Sequence, residues 1–175
     1  TEPHSFTKII YKEGKNEIVE NFTYEKKRVM KETTAYLISY MLKKVTNSGV
    51  KVKGTDIATK TGTSSYDDNT LKRLGLSDNV IQDAWTVTYS PDYSVAIWYG
   101  YDELTKKTYN TTSHAWNERT KIQKKIVNNI MEKNSKFKKP AGIVSSKVVV
   151  GSNPPSLPNS STPKSKIQTH LFIKG

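Results

Sequence analysis

Apolar and polar positions along this chain repeat with two periods, and the switches between them mark its elements. Ser5 to Tyr11 and Glu17 to Glu20 read as the strands of a hairpin, with Lys12 to Asn16, including Gly14, as its turn. From Glu32 to Val45 the period becomes helical. Ala35, Ile38, Met41, Leu42 and Val45 fall on one apolar stripe. Asn47-Ser48-Gly49 supplies a stop, while Lys31 in front of the helix is a poor N-cap. Val50 to Thr59 is rich in β-branched residues, so an extended segment is expected there, with the strand running from Val52 into Ser65. Tyr66 to Asn79 reads as a polar loop with a short helical turn near Leu71 to Leu74.

Alternation returns in Gln82 to Tyr89 and Ser94 to Tyr101, joined across Ser90-Pro91-Asp92, with Trp85, Val87, Val95 and Ile97 carrying it. A polar loop, Glu103 to Ser113, leads to a last helix over about Trp116 to Lys133. Ile122, Ile126, Ile130, Val127 and Met131 give that helix a face for a sheet. Asp56 to Thr63, Gln82 to Tyr89 and Ser94 to Tyr101 are therefore expected to be consecutive antiparallel strands, with the last helix on one face. Beyond Lys133 to Lys139, a charge run, Ile143 to Val150 reads as one more strand. Gly151 to Pro163, rich in Pro, Ser and Asn, reads as lacking fixed structure. The division expected is 1–139 and a Pro/Ser-rich extension, 140–175.

The chemistry concentrates in Lys60-Thr61-Gly62-Thr63. On a strand this run offers one ammonium, two hydroxyls and a residue without a side chain. Ammonium and hydroxyls can hold a carboxylate, and glycine lets a ligand lie against the backbone. A free N–H of an edge strand can donate to a developing oxyanion. The four residues alone are weak: shuffled chains of this composition would contain them on the order of once in sixty.

Their context is more specific. Asp83-Ala84-Trp85-Thr86-Val87-Thr88-Tyr89-Ser90-Pro91-Asp92 and Val95-Ala96-Ile97-Trp98-Tyr99-Gly100-Tyr101-Asp102 follow in order. Together with Lys60 to Thr63 they resemble the closing strands of a penicillin-binding protein transpeptidase domain, most like the bifunctional class A type. The resemblance runs from Glu2-Pro3-His4 to Phe172-Ile173-Lys174-Gly175. Thr59 departs from the family's usual Gly, and Thr86 and Thr88 from its usual Phe and Gly.

The resemblance implies an α/β fold, a β-lactamase/transpeptidase-like antiparallel sheet flanked by helices, of which this chain is the C-terminal portion. It implies part of a serine D,D-transpeptidase that crosslinks peptidoglycan stem peptides and is acylated by β-lactam antibiotics. Lys60 would raise the local positive potential, and Thr61 and Thr63 would bind the substrate carboxylate. Gly62 would admit the donor peptide, and the Thr63 backbone N–H would be half of an oxyanion hole. It implies no cofactor and no metal. The other partner it implies is the preceding part of the same domain, on the outer face of the cell membrane. That part would bring the family's Ser-x-x-Lys, with nucleophile and base, and its Ser-x-Asn.

Neither motif stands in its place here. Ser-x-x-Lys occurs at Ser5/Lys8, Ser48/Lys51, Ser135/Lys138 and Ser161/Lys164, none where a helix is expected to hold Lys one turn above Ser. Ser77-Asp78-Asn79 spells the second motif, but after Lys60 and in a loop. The chain alone is thus expected to be inactive, and its start at Thr1-Glu2-Pro3, mid-pattern, reads as the inside of a longer protein.

Composition trims the alternatives. The chain has 175 residues, a net charge of +12 and no Cys, which excludes disulfides and thiolate metal sites. Lysine dominates its positive charge; Arg28, Arg73 and Arg119 are the arginines, which disfavours a nucleic-acid reader. His4, His114 and His170 have no metal-ligand spacing, and Asp67-Asp68 reads as a turn. Gly49 to Thr55 misses a phosphate loop because Thr55 stands where Lys is required. No apolar run is long enough to span a bilayer. A competing reading is a non-catalytic basic module that associates with wall or membrane. A serine β-lactamase is a third, poorly matched by the Lys-rich tail.

Overall fold

The computed structural model describes residues 5–25, 27–44 and 50–175. Its centre is an antiparallel sheet in the order β3(Ala58–Ser65), β4(Val80–Tyr89), β5(Ser94–Gly100), with the short β6(Asn110–Thr111) paired to the start of β4. The expected strand order is thus observed. In register, Lys60 lies opposite Val87 and Gly62 opposite Trp85, while Val87 and Trp85 lie opposite Ala96 and Trp98. The architecture is α/β with an antiparallel sheet, as the transpeptidase-like expectation required.

Before the sheet come the hairpin β1(Lys8–Glu13)–β2(Asn16–Asn21) and helix α1(Glu32–Lys43). The hairpin turn is tighter than the sequence suggested, because Gly14 takes φ +62° and the strands pair up to Glu13 and Asn16. Lys31 makes no side-chain cap on α1, in line with its poor cap chemistry. Val45 and the stop signal Asn47-Ser48-Gly49 lie outside the described residues. The helix buries a different face from the one expected. Ser39 is buried and meets the Tyr89 hydroxyl at 3.1 Å, whereas Ile38 and Met41 are exposed.

The strand expected from Val52 starts only at Ala58. Residues 50–57 instead turn at Gly54, whose φ is +73°, and are laced to the segment after the last helix. Asp56 N–H donates to the Ser135 carbonyl at 2.8 Å, and Asn134 N–H donates to the Lys53 carbonyl at 3.3 Å. Gly54 packs against the Asn134 side chain, which would have to move to admit a Cβ. These backbone groups find partners in a loop rather than in a ladder.

The polar loop contains a full helix, α2(Asp68–Leu74). Asp67 caps it by accepting from Thr70 N–H at 3.0 Å, and Gly75 closes it in the left-handed region. The last helix, α3(Thr112–Ile130), starts four residues earlier than expected, with the Thr111 hydroxyl as its cap. Its buried residues are Ala115, Arg119, Thr120, Gln123 and Val127, followed at its C-cap by Met131. Ile122 and Ile130, placed on the sheet face by the sequence, are partly exposed on the adjoining edge.

The core under α3 has two parts. Val50, Val127 and Met131 pack with Val52, Ile57 and Val95; Ile81, Ala84 and Ala115 pack with Tyr99. Val95, Ile97 and Tyr99 are therefore sheltered by α3. The uncovered side chains are on the opposite face: Trp85, Val87 and Trp98 are 47%, 41% and 40% exposed.

The tail holds a second hairpin, β7(Ile143–Val149)–β8(Ile167–Ile173), where the sequence suggested one strand. Residues 151–163 contain no helix or strand, yet they are pinned. Val149 N–H donates to the Ser156 carbonyl at 3.0 Å, and Asn159 Oδ1 accepts from the Ser161 and Thr162 hydroxyls. No helix among the described residues is long and apolar enough to cross a membrane.

Candidate active site

Strand β3 is the outer strand of the sheet, hydrogen-bonded to β4 on one side and to no strand on the other among the described residues. Its first turn of sequence is buried: Ala58 is fully enclosed, and Thr59 is 3% exposed. Exposure begins at Lys60. Lys60, Gly62 and Thr63 are open to solvent, and Thr61 is half-buried. All four residues expected to form the site thus lie on one open edge strand.

Alternation places Lys60, Gly62 and Ser64 on one face and Thr59, Thr61 and Thr63 on the other. The Lys60 ammonium donates to the Thr61 carbonyl at 2.5 Å, and no carboxylate pairs with it among the described residues. Its charge is therefore open to an anion arriving at the strand edge. Gly62 has no positive φ, and a Cβ there would meet only Trp85 Cβ at 3.6 Å, an ordinary contact. Neither backbone conformation nor packing within the chain demands glycine. What the missing side chain leaves open is the outer face of the strand.

Four residues along the strand from Lys60, opposite Ser64, the same sheet face carries a fixed carboxylate. Asp83 accepts from the Ser64 hydroxyl at 2.6 Å and from the Trp98 indole N–H at 2.8 Å. These two bonds, Ser64 first, hold its pKa below the usual carboxylate value. The Trp98 ring lies over Gly100, where a Cβ would come within 2.5 Å of it. The Ser64–Asp83–Trp98 link was not singled out from the sequence. Its signal was the period-2 placement of Asp83 and Trp98 on neighbouring strands, which becomes readable once register is known.

The literal matches to the other motifs are used up elsewhere. Ser77 donates its hydroxyl to Asn79 Oδ1 at 2.5 Å, and the Asn79 carbonyl accepts from Thr112 N–H at 2.9 Å and the Thr112 hydroxyl at 3.1 Å. This cluster anchors the start of α3. Ser5, Ser135 and Ser161 are not helical, so their lysines are not one turn above them; Ser48 lies outside the described residues. Asp67 is a helix cap, and no group of His, Asp or Glu that could hold a metal occurs among the described residues.

The three departures from the family pattern sit behind the site, on the α3 face. Thr59 and Thr88 hydroxyls meet at 3.2 Å, and the Gln123 amide donates to Thr88. Thr86 is buried beside them, 1% exposed.

Residues 1–132 match the penicillin-binding protein transpeptidase domain. The chain belongs to the penicillin-binding protein transpeptidase family. It is similar to penicillin-binding protein 1A/1B of Bacillus subtilis (strain 168), 31% identical over 99% of this chain and 19% of that protein. It is also similar to penicillin-binding protein 1A of Clostridium tetani, 28% identical over the whole chain and 21% of that protein. Against penicillin-binding protein 1A of Streptococcus oralis it is 36% identical over 57% of the chain and 16% of the relative. The chain therefore spans about a fifth of the length of these curated relatives, and the transpeptidase family match ends just after α3, before the β7–β8 hairpin.

Proposed function

We propose that this chain is the carboxylate- and oxyanion-binding part of a serine D,D-transpeptidase that crosslinks peptidoglycan stem peptides and is acylated by β-lactams. The observation that carries the reading is the open edge of β3, with an ammonium at Lys60 that no carboxylate pairs among the described residues and an uncrowded glycine two residues on. An extended peptide can add to such an edge as a further strand. Its terminal carboxylate would sit between Lys60 and the Thr61 and Thr63 hydroxyls. The Thr63 N–H would donate to the oxyanion of the tetrahedral intermediate, together with an N–H from the nucleophile's own residue.

Acyl transfer needs a serine activated by a neighbouring base. No serine of a Ser-x-x-Lys stands on a helix among the described residues, so the reading assigns nucleophile, base and Ser-x-Asn to sequence outside this chain. The relatives' greater length leaves room for that sequence. The exposed Trp85, Val87 and Trp98 fit the same reading, since they form an apolar patch with no cover among the described residues. The completed enzyme would work at the extracytoplasmic face of the cell membrane, with residues 140–175 as an extension of its transpeptidase domain.

A second reading has one observation in its favour. After Glu132 the chain contains no Asp or Glu, only lysines and His170 as ionisable side chains. That suits a basic module held on an anionic wall or membrane. Fluorescent penicillin separates the two. In the full-length protein Lys60→Ala should abolish acylation, while Ser77→Ala and Asn79→Ala should leave it nearly unchanged. A large loss for Ser77→Ala with none for Lys60→Ala would overturn the site assignment. A full-length protein that is never acylated favours the basic module.

A further inference from the structure

Arg119 is the buried cation among the described residues, 3% exposed on the sheet-facing side of α3. No Asp or Glu pairs with it among those residues. Its Nη1 donates to one neutral acceptor, the Trp85 carbonyl, at 3.1 Å, and its Nε–H has no partner. Burial pushes its pKa below the ordinary guanidinium value. A methionine of similar volume would fill this place without the cost of an unpaired buried charge. Packing therefore does not explain an arginine here.

Its contact does. Trp85 is the β4 residue opposite Gly62, in the row Gly62–Trp85–Trp98. One helical turn further along α3, Gln123 reaches β4 at Thr88, opposite Thr59. The two α3 side chains thus hold β4 at the two residues whose β3 partners bracket Lys60 and Thr61. We propose that Arg119 is a positioning residue for the Lys60–Thr63 strand, its guanidinium clamping the Trp85 carbonyl so that β4 is fixed beneath Gly62 and Thr63. The proposal rests on the reading of Lys60 to Thr63 as the carboxylate and oxyanion site. A reacting carbonyl is sensitive to ångström shifts of its donors, so loosening the clamp should act on the rate of acylation rather than on the fold.

The test uses the full-length protein with Arg119→Met, Arg119→Lys and, as a control in the same helix, Val127→Ala. Arg119→Met is expected to keep or raise the melting temperature. It should slow acylation by fluorescent penicillin between about ten- and a hundred-fold, and speed amide hydrogen exchange at Gly62. Arg119→Lys, which keeps a donor for Trp85, should recover part of the rate. Val127→Ala should lower the melting temperature with little change in acylation rate. Wild-type acylation and exchange in Arg119→Met would overturn the proposal. If Arg119→Met does not fold, an Arg119→Lys variant that folds and is acylated as fast as the wild type overturns it as well. A wild-type protein that is never acylated would sink the transpeptidase reading instead, and exchange at Gly62 would still decide whether the clamp exists.

Discussion

Thr59 and Thr88 each replace a glycine that the transpeptidase pattern usually has, and they replace it together. They are register partners, and their hydroxyls bond each other where two strands and α3 meet. Gln123 completes the chain by donating to Thr88. Read one at a time from the sequence, these threonines count against the substrate fit. Read in register, they form one buried polar network behind the site. Such a network is sensitive to losing one member, because the others are left unsatisfied. Thr88→Val should destabilise the full-length protein by about 1–3 kcal/mol in a urea titration. Adding Thr59→Val should cost less than its own single substitution does, a non-additivity that a double-mutant cycle reads directly. Additive losses would show that the two hydroxyls do not act together.

At the scale of elements, Asp56 ties three segments together. Its carboxylate pairs with Lys43 of α1 at 2.7 Å and Lys136 at 3.3 Å, and accepts from Phe137 N–H at 3.1 Å. Burial raises its pKa, but the bonds from Lys43, the Phe137 N–H and Lys136 outweigh that, and the net shift is downward. A carboxylate with a depressed folded pKa stabilises the fold above its unfolded value of about 3.9. That stability is lost as pH falls through the lower, folded value. Asp56→Asn should therefore weaken the protein at neutral pH and flatten its acid limb below about pH 4, as followed by thermal melts across pH. An unchanged acid limb would mean that the three contacts carry no linkage. Asp67 offers a simpler check on α2: removing its cap with Asp67→Ala should cost about 1 kcal/mol, read by the same melts.

For the whole molecule, the decisive feature is one sheet face covered by α3 and another that, among the described residues, meets α1 and Phe137 at its Tyr89 end and stays open beyond it. α3 shelters Val95, Ile97 and Tyr99, while Trp85, Val87 and Trp98 stay open, as do Ile38 and Met41 on α1. An open apolar face beside unpaired strand edges favours association with another chain. Residues 1–175 expressed alone should bind a hydrophobic dye and self-associate in sedimentation, and both should fall in the full-length protein. The chain alone should also form no stable acyl adduct with a fluorescent penicillin. A stoichiometric, hydrolysis-resistant adduct on any of its serines would place the nucleophile inside this chain after all.

By itself the sequence determined what is local. Period-2 alternation and the Ser90-Pro91-Asp92 turn specify the β4–β5 hairpin, because side-chain direction follows from the pleat. Lys60 to Thr63 could be singled out as a candidate site because four adjacent residues of a strand need no tertiary contact to lie side by side. Tertiary structure decided which face is inside. Trp85 and Val87 are more apolar than Thr86 and Thr88, yet the threonines are buried, because α3 lies on their side of the sheet. The same contact turned α3 so that Arg119 and Gln123 face inward while Ile122 and Ile130 lie at an edge. Alternation says only that neighbours point apart; it takes a second element, brought from elsewhere in the chain, to choose between the two sides. Residues 50–57 failed as a strand for the same reason, since their backbone partners come from the loop after α3, some eighty residues away.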